Sequence, residues 1–234
     1  MHFLNLKKLF KSFVRKINYK ITNIKESRWI KKDANRLSKD EKVLIVDLGA
    51  NLGQSYKLFR KYFKFKNVKF ELFEPNPFCC YELKKLPEIV SGKVKLYNSG
   101  VGLKSGHTNF YGLNDNEGGK FSKGGSIVEH HNSHWYKSTK SKSIRVNIIN
   151  FSNYLISKSK KFNRILVKMD IEGAEVSLLE NLISKGTIKK IDVLYLEFHS
   201  KYQKSRLSKK TRIRELKILD KLKNINKLKL RLWH

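Results

Sequence analysis

From Lys42 onward, short apolar runs alternate with segments whose apolar residues recur every three or four positions. VLIVDL (43–48) is unbroken in its apolar character and closes on Asp and Gly, the pattern of a strand buried on both faces. RILVKM (164–169) and IDVLYLEF (191–198) read the same way, and VKFELF (68–73), VKLYN (94–98), IRVNII (144–149) and LKLRLW (228–233) are strand-like. Helical spacing covers 53–65, 76–86, a short stretch at 151–156, then 174–184 and 207–223. Residues 99–141 hold much of the glycine and read as hairpin and loop. Strands that alternate with helices predict an α/β fold, a doubly wound and mostly parallel sheet with its site at the carboxyl ends of the strands.

The first 41 residues follow a different rule. Phe3, Leu6, Phe10, Phe13, Val14 and Ile17 fall at helical intervals with Lys and Arg between them. This predicts a basic helical N-terminal extension (1–41) ahead of the domain proper (42–234), packed on the domain's own surface or lying on an anionic membrane. The formal net charge is +31, concentrated at the two ends: 13 basic against 4 acidic residues in 1–42, and 13 against 2 in 200–234. Such a field attracts polyanions, nucleic acid among them. Of the 51 basic residues 41 are Lys, whereas base-reading proteins rely on the forked guanidinium of Arg, so nucleic acid is the less favoured partner. No apolar run approaches the ~18 residues of a membrane span, and the N-terminus lacks the uninterrupted apolar core of a secretory signal. The two cysteines, Cys79 and Cys80, are adjacent and offer no disulfide framework, which points to a reducing, cytoplasmic setting.

Candidate chemistry lies where strands end. The first strand runs into Asp47-Leu48-Gly49-Ala50-Asn51-Leu52-Gly53, a glycine bend that lets a ligand approach the next helix. The nicotinamide fingerprint is not met, because Asn51 and Gln54 stand where it has glycines. The second strand ends in Glu74-Pro75-Asn76-Pro77, and Glu74 lies 21 residues after Gly53, where an acid can accept hydrogen bonds from ribose hydroxyls.

An Asp two residues before the first glycine and a Glu ending the second strand resemble the S-adenosylmethionine site of class I methyltransferases. VDLGANLGQSYKLF, FEPNP, LYNSGVG, VKMDIEGAEVSLLENL and LEFH, in that order over 43–199, resemble the FkbM family of methyltransferases. The resemblance implies a Rossmann-like fold, S-adenosylmethionine as methyl donor and a hydroxyl acceptor on a sugar, glycan or sugar-containing metabolite. It also implies that Asp47, Gly49, Asn51 and Gly53 surround the donor's methionine part, with Glu74 on its ribose. Asn98 and Ser99 end the third strand, placed either to meet the adenine or to shape an ordinary turn. Class I sheets usually close with two further strands, the last antiparallel, and here one strand follows the final helix.

After the fourth motif strand comes Asp170-Ile171-Glu172-Gly173-Ala174-Glu175. Side chains alternate along an extended segment, so Asp170 and Glu172 are expected on one side, able to hold the donor's amino group, orient a hydroxyl or take its proton. Glu175 is expected as a stabilising charge in a helix's first turn. Glu197 and His199 share a face of the next strand, and Asp170, Glu197 and His199 are a candidate oxygen/nitrogen set for a divalent metal. The metal-free reading is preferred, with Asp170, Glu172 and His199 as catalytic groups and His199 or Asp170 as general base. His130 and His134 have zinc-like spacing without accompanying cysteines. The 99–141 stretch, with Trp135 and Tyr136 for a sugar ring, is expected to fold over the cleft. A nucleic-acid methyltransferase and a non-catalytic basic module are the competing readings. The first lacks the (Asp/Asn)-Pro-Pro-aromatic motif after the fourth strand, and intact acidic residues disfavour the second.

Overall fold

The computed structural model describes residues 24–63, 67–113, 119–129, 131, 143–202 and 205–233. Helix α1 covers residues 24–35. It is followed by β1 (Val43–Leu48), α2 (Gln54–Phe63), β2 (Val68–Phe73), α3 (Pro77–Leu83), α4 (Pro87–Val90) and β3 (Val94–Tyr97). Strands β4 (Gly100–Gly102), β5 (Gly106–Phe110) and β6 (Ile144–Asn150) then precede α5 (Phe151–Ser159), β7 (Arg164–Met169) and α6 (Glu175–Ser184). The chain ends with β8 (Val193–Leu196), α7 (Ser205–Lys223) and β9 (Lys229–Leu232).

Six strands form one sheet in the order β3-β2-β1-β7-β8-β9, and every pairing in it is parallel. The direction of winding reverses between β1 and β7, and at that switch point two neighbouring strands send their loops apart and leave a crevice. No antiparallel strand joins this sheet among the described residues. β1 shows why its sequence is continuously apolar. Val43 and Ile45 face a cluster with Ile30 of α1, Tyr56, Phe59 and Phe63 of α2, and Leu83 of α3. Leu44, Val46 and Leu48 face the opposite cluster, with Phe151 of α5, Val176 and Leu182 of α6, and Leu222 of α7. With both faces covered, every residue of the strand but Asp47, near its carboxyl end, is apolar.

The IRVNII segment forms β6 as expected, but in a second, three-stranded sheet of order β4-β6-β5. Its alternation explains this: Val146 and Ile148 are buried against Phe110 and Leu113, while Arg145 and Asn147 are exposed, so one face only is covered. The helix expected over 76–86 is α3, which ends at Leu83, and the short α4 starts just beyond that span at Pro87. Leu86 precedes Pro87 and is extended (ψ 129°), because a proline disfavours helical backbone in the residue before it.

Part of the N-terminal region is packed into the domain. Ile30 and Ala34 of α1 are buried, and Asp33 binds Arg231 of β9 (2.8 and 3.1 Å) and accepts from the Tyr195 hydroxyl (2.9 Å). The amphipathic stretch expected over 3–19 lies outside the described residues. No helix among the described residues is long and apolar enough to cross a membrane.

Candidate active site

Parallel register brings the loops together. Leu48 of β1 is level with Phe73 of β2 and Met169 of β7, so the residues that follow these strands emerge along one edge of the sheet. Gly49 and Ala50 donate backbone hydrogen bonds to the Phe73 carbonyl, and Asp170 donates to Leu48. Gly49 has φ +79°, and a Cβ there would stand 2.0 Å from the Asp170 carbonyl oxygen. Only glycine permits both the left-handed bend and the approach of the 170 loop. Asn51 (φ +48°) and Gly53 (φ +81°) continue the bend into α2.

Glu74 is buried at the rim of this bend. One carboxylate oxygen accepts from Asn51 N (2.7 Å) and the other from Asn76 N (2.9 Å). Burial pushes its pKa up to about 7, against the pull of these two amides and of Lys168, with Asp47 adding to the rise. Asp47, 1% exposed, accepts from Ser55 Oγ through Oδ2 (2.6 Å). Among the described residues its Oδ1 makes no hydrogen bond, and Lys168 Nζ stands 3.5 Å away. Asn98 donates to the carbonyls of Glu74 and Pro75 (3.1 and 3.2 Å), bracing the loop that carries Glu74, and Ser99 is buried beside it in sequence. Cys79 and Cys80 are buried next to Glu74 and remain thiols, burial raising both, Cys80 to about 12.

At the other end, Asp170, Glu172, Glu197 and His199 converge. His199 Nε2 lies 3.6 Å from an oxygen of each carboxylate. Asp170 and Glu172 meet by a route other than the expected extended segment: Glu172 takes φ +51° and Gly173 φ +101°, so a tight turn swings Glu172 inward. A non-glycine residue held in left-handed backbone is strained, and such strain collects at functional sites.

Glu175 begins α6 as expected, but it is fully buried instead of capping the helix from solvent. It accepts from Ile171 N and Gly173 N and binds His199 Nδ1 at 2.9 Å. Lys168 reaches from β7 to Asp170 Oδ2 (2.9 Å) and the Gly49 carbonyl (3.3 Å), tying the two ends of the site together. Burial alone would lower the His199 pKa; Glu175, then Glu172 and Asp170, outweigh it and raise it to about 10. Glu197 is raised to about 7 by burial and by Asp170, and Glu172 is raised chiefly by burial. Asp170 is held below its usual range because Lys168 and His199 overcome burial.

Residues 119–129 and His131 cross over both ends. Asn76 Nδ2 donates to the Lys120 carbonyl (2.7 Å) and Asn51 Nδ2 to that of Ser122 (3.4 Å). Ser126 Oγ donates to the Glu172 carbonyl (2.5 Å), and buried His131 places Nε2 3.0 Å from Glu172 Oε2. This agrees with a segment folded over the cleft, and its histidine at the site is His131. His130, His134, Trp135 and Tyr136 lie outside the described residues. His131, Lys168 and Glu175 were not assigned roles in the site from sequence. Lys168 had a visible signal, a lone cation inside an apolar strand, and His131 sits within a run of three histidines among five residues.

The strand order, the glycine bend after β1 and the acid ending β2 define a Rossmann-like α/β domain with a crevice at its switch point. Residues 47–222 match the Methyltransferase FkbM domain, and the chain belongs to that family. The crystal structure of a methyltransferase FkbM from Methylobacillus flagellatus KT is similar at 18% identity with a TM-score of 0.39, covering 66% of this chain and 32% of that one. The chain thus spans about a third of that protein's length. Among curated proteins none matches.

Proposed function

We propose that the protein transfers a methyl group from S-adenosylmethionine to a hydroxyl of a sugar, glycan or sugar-containing metabolite. The observation that carries this reading is the pairing, on one sheet edge, of a glycine bend and buried Glu74 with a carboxylate–histidine cluster joined to them by Lys168. Family membership supports methyl transfer.

The residues fit the donor. Buried Asp47 Oδ1 lacks a hydrogen bond among the described residues and suits an ammonium group, and Glu74 suits ribose hydroxyls. When bound, the donor supplies an electrophilic methyl on a sulfonium. Glu74 and Asp47 hold its two ends, and the 119–131 segment excludes water. Asp170, Glu172 and His199 would orient the acceptor hydroxyl, its proton passing to the carboxylates, so that positioning and deprotonation supply most of the catalysis.

The reading is tested by following label from methyl-labelled S-adenosylmethionine into a panel of sugars, oligosaccharides and RNA. Labelled sugar with unlabelled RNA supports it. Labelled RNA alone would favour the nucleic-acid reading that the charge of +31 invites.

A pH dependence follows from Glu74. Its ionised form accepts hydroxyl hydrogen bonds best, and burial holds its pKa near 7. Affinity for S-adenosylhomocysteine should therefore rise with pH to a plateau above 7 and be about tenfold weaker at pH 6. In Glu74→Gln the profile should lose this inflection. Calorimetry at several pH values checks both.

A further inference from the structure

Around His199, each of three side chains has one polar atom tied back and another turned toward a shared gap. His199 engages Glu175 through Nδ1 (2.9 Å), Asp170 engages Lys168 through Oδ2 (2.9 Å), and Glu172 engages His131 through Oε2 (3.0 Å). Left facing one another are His199 Nε2, Asp170 Oδ1 and Glu172 Oε1, with the nitrogen 3.6 Å from each oxygen. The three residues can offer ligand atoms that all lie within 4.8 Å of one another. His199 is 4% exposed, yet its Nε2 makes no hydrogen bond among the described residues. Glu197 Oε1 stands at 3.6 Å from the same nitrogen, and its side chain makes no hydrogen bond among the described residues either.

From this convergence we propose that Asp170, Glu172 and His199 bind a divalent cation of the Mg²⁺ or Mn²⁺ kind, with Glu197 beside it as a further oxygen donor. Three features support the assignment. Carboxylates with one imidazole suit a hard to borderline ion, and both cysteines lie elsewhere, beside Glu74. A metal-binding histidine characteristically gives its other ring N–H to a carboxylate, as His199 does to Glu175. The carboxylates of Asp170, Glu172, Glu175 and Glu197 all gather around His199, with Lys168 paired to Asp170, in a protein otherwise strongly basic. The sequence set of Asp170, Glu197 and His199 thus gains Glu172, brought in by the turn at Gly173.

The proposal deepens the methyl-transfer reading and rests on it only for the ion's purpose. A cation here binds the acceptor's hydroxyl oxygen and lowers its pKa. Binding itself is tested without turnover. The full chain is stripped with chelator and titrated with Mn²⁺, free ion being read by electron paramagnetic resonance, and S-adenosylhomocysteine binding is measured on the same preparations. One Mn²⁺ per chain is expected, displaced by excess Mg²⁺. Asp170→Asn should abolish binding, and His131→Gln, which removes the partner of Glu172, should weaken it about ten- to a hundredfold. Circular dichroism reports folding; should Asp170→Asn not fold, Glu197→Gln and His131→Gln decide, each expected to weaken binding. No stoichiometric Mn²⁺ binding, or binding unchanged in the folded variants, overturns the proposal. A chain that binds S-adenosylhomocysteine but not Mn²⁺ removes the cation site and leaves the donor pocket standing. The reverse keeps the cation site and removes the donor reading.

Discussion

Gly49→Ala should destabilise the protein by about 2–5 kcal/mol and remove donor binding from whatever fraction stays folded. Two independent costs add at this position. Left-handed backbone costs a residue with a Cβ about 1–2 kcal/mol. Overpacking costs about 1–3 kcal/mol more, and here the obstacle is the Asp170 backbone carbonyl, 2.0 Å from the added carbon. A flexible side chain would yield; a backbone carbonyl next to a parallel strand cannot move without taking Asp170 with it. The change therefore disturbs both halves of the site, because Gly49 shapes one and Asp170 belongs to the other. Urea denaturation measures the loss, and a change below about 1 kcal/mol would show that the bend and the 170 loop are not held in this contact.

Glu175→Ala should cost a similar amount, about 3–5 kcal/mol, by removing one partner of a buried charge pair. The carboxylate is fully buried, accepts from two loop amides and binds His199, so truncation leaves three donors facing a void. Glu180→Ala, five residues along the same helix, is the matched control. Its ion pair with Arg214 is exposed, and exposed pairs contribute about 0–1 kcal/mol. Denaturation of both variants checks the contrast. Equal losses would mean that Glu175 is no more than a helix-end charge.

That contrast marks where sequence stops being sufficient. Strands buried on both faces were legible, because VLIVDL and RILVKM are apolar but for charges near their ends, and their order along the chain already implied parallel winding. The fate of β6 was written in its alternating Arg145 and Asn147, which a doubly covered strand would not tolerate. At the site, Asp170, Glu172 and His199 were visible because they follow strands. What joins them was less so. Glu175 looks like any acid in a first helical turn until α6 is packed and its carboxylate is found under the 171–173 loop. His131 and Glu172 are 41 residues apart, and only the crossing of 119–131 over the sheet edge brings them to 3.0 Å. Long-range meetings of polar residues leave no periodic trace in a sequence, whereas burial does.

The donor pocket is the claim on which the enzymology depends, and calorimetric titration of S-adenosylhomocysteine into the wild-type chain and into Glu74→Ala probes it most directly. Saturable one-to-one binding is expected for the wild type, weakened about ten- to a hundredfold in the variant, as loss of hydrogen bonds to a charged acceptor implies. Affinity that is the same in both proteins would contradict the placement of the donor between the glycine bend and Glu74.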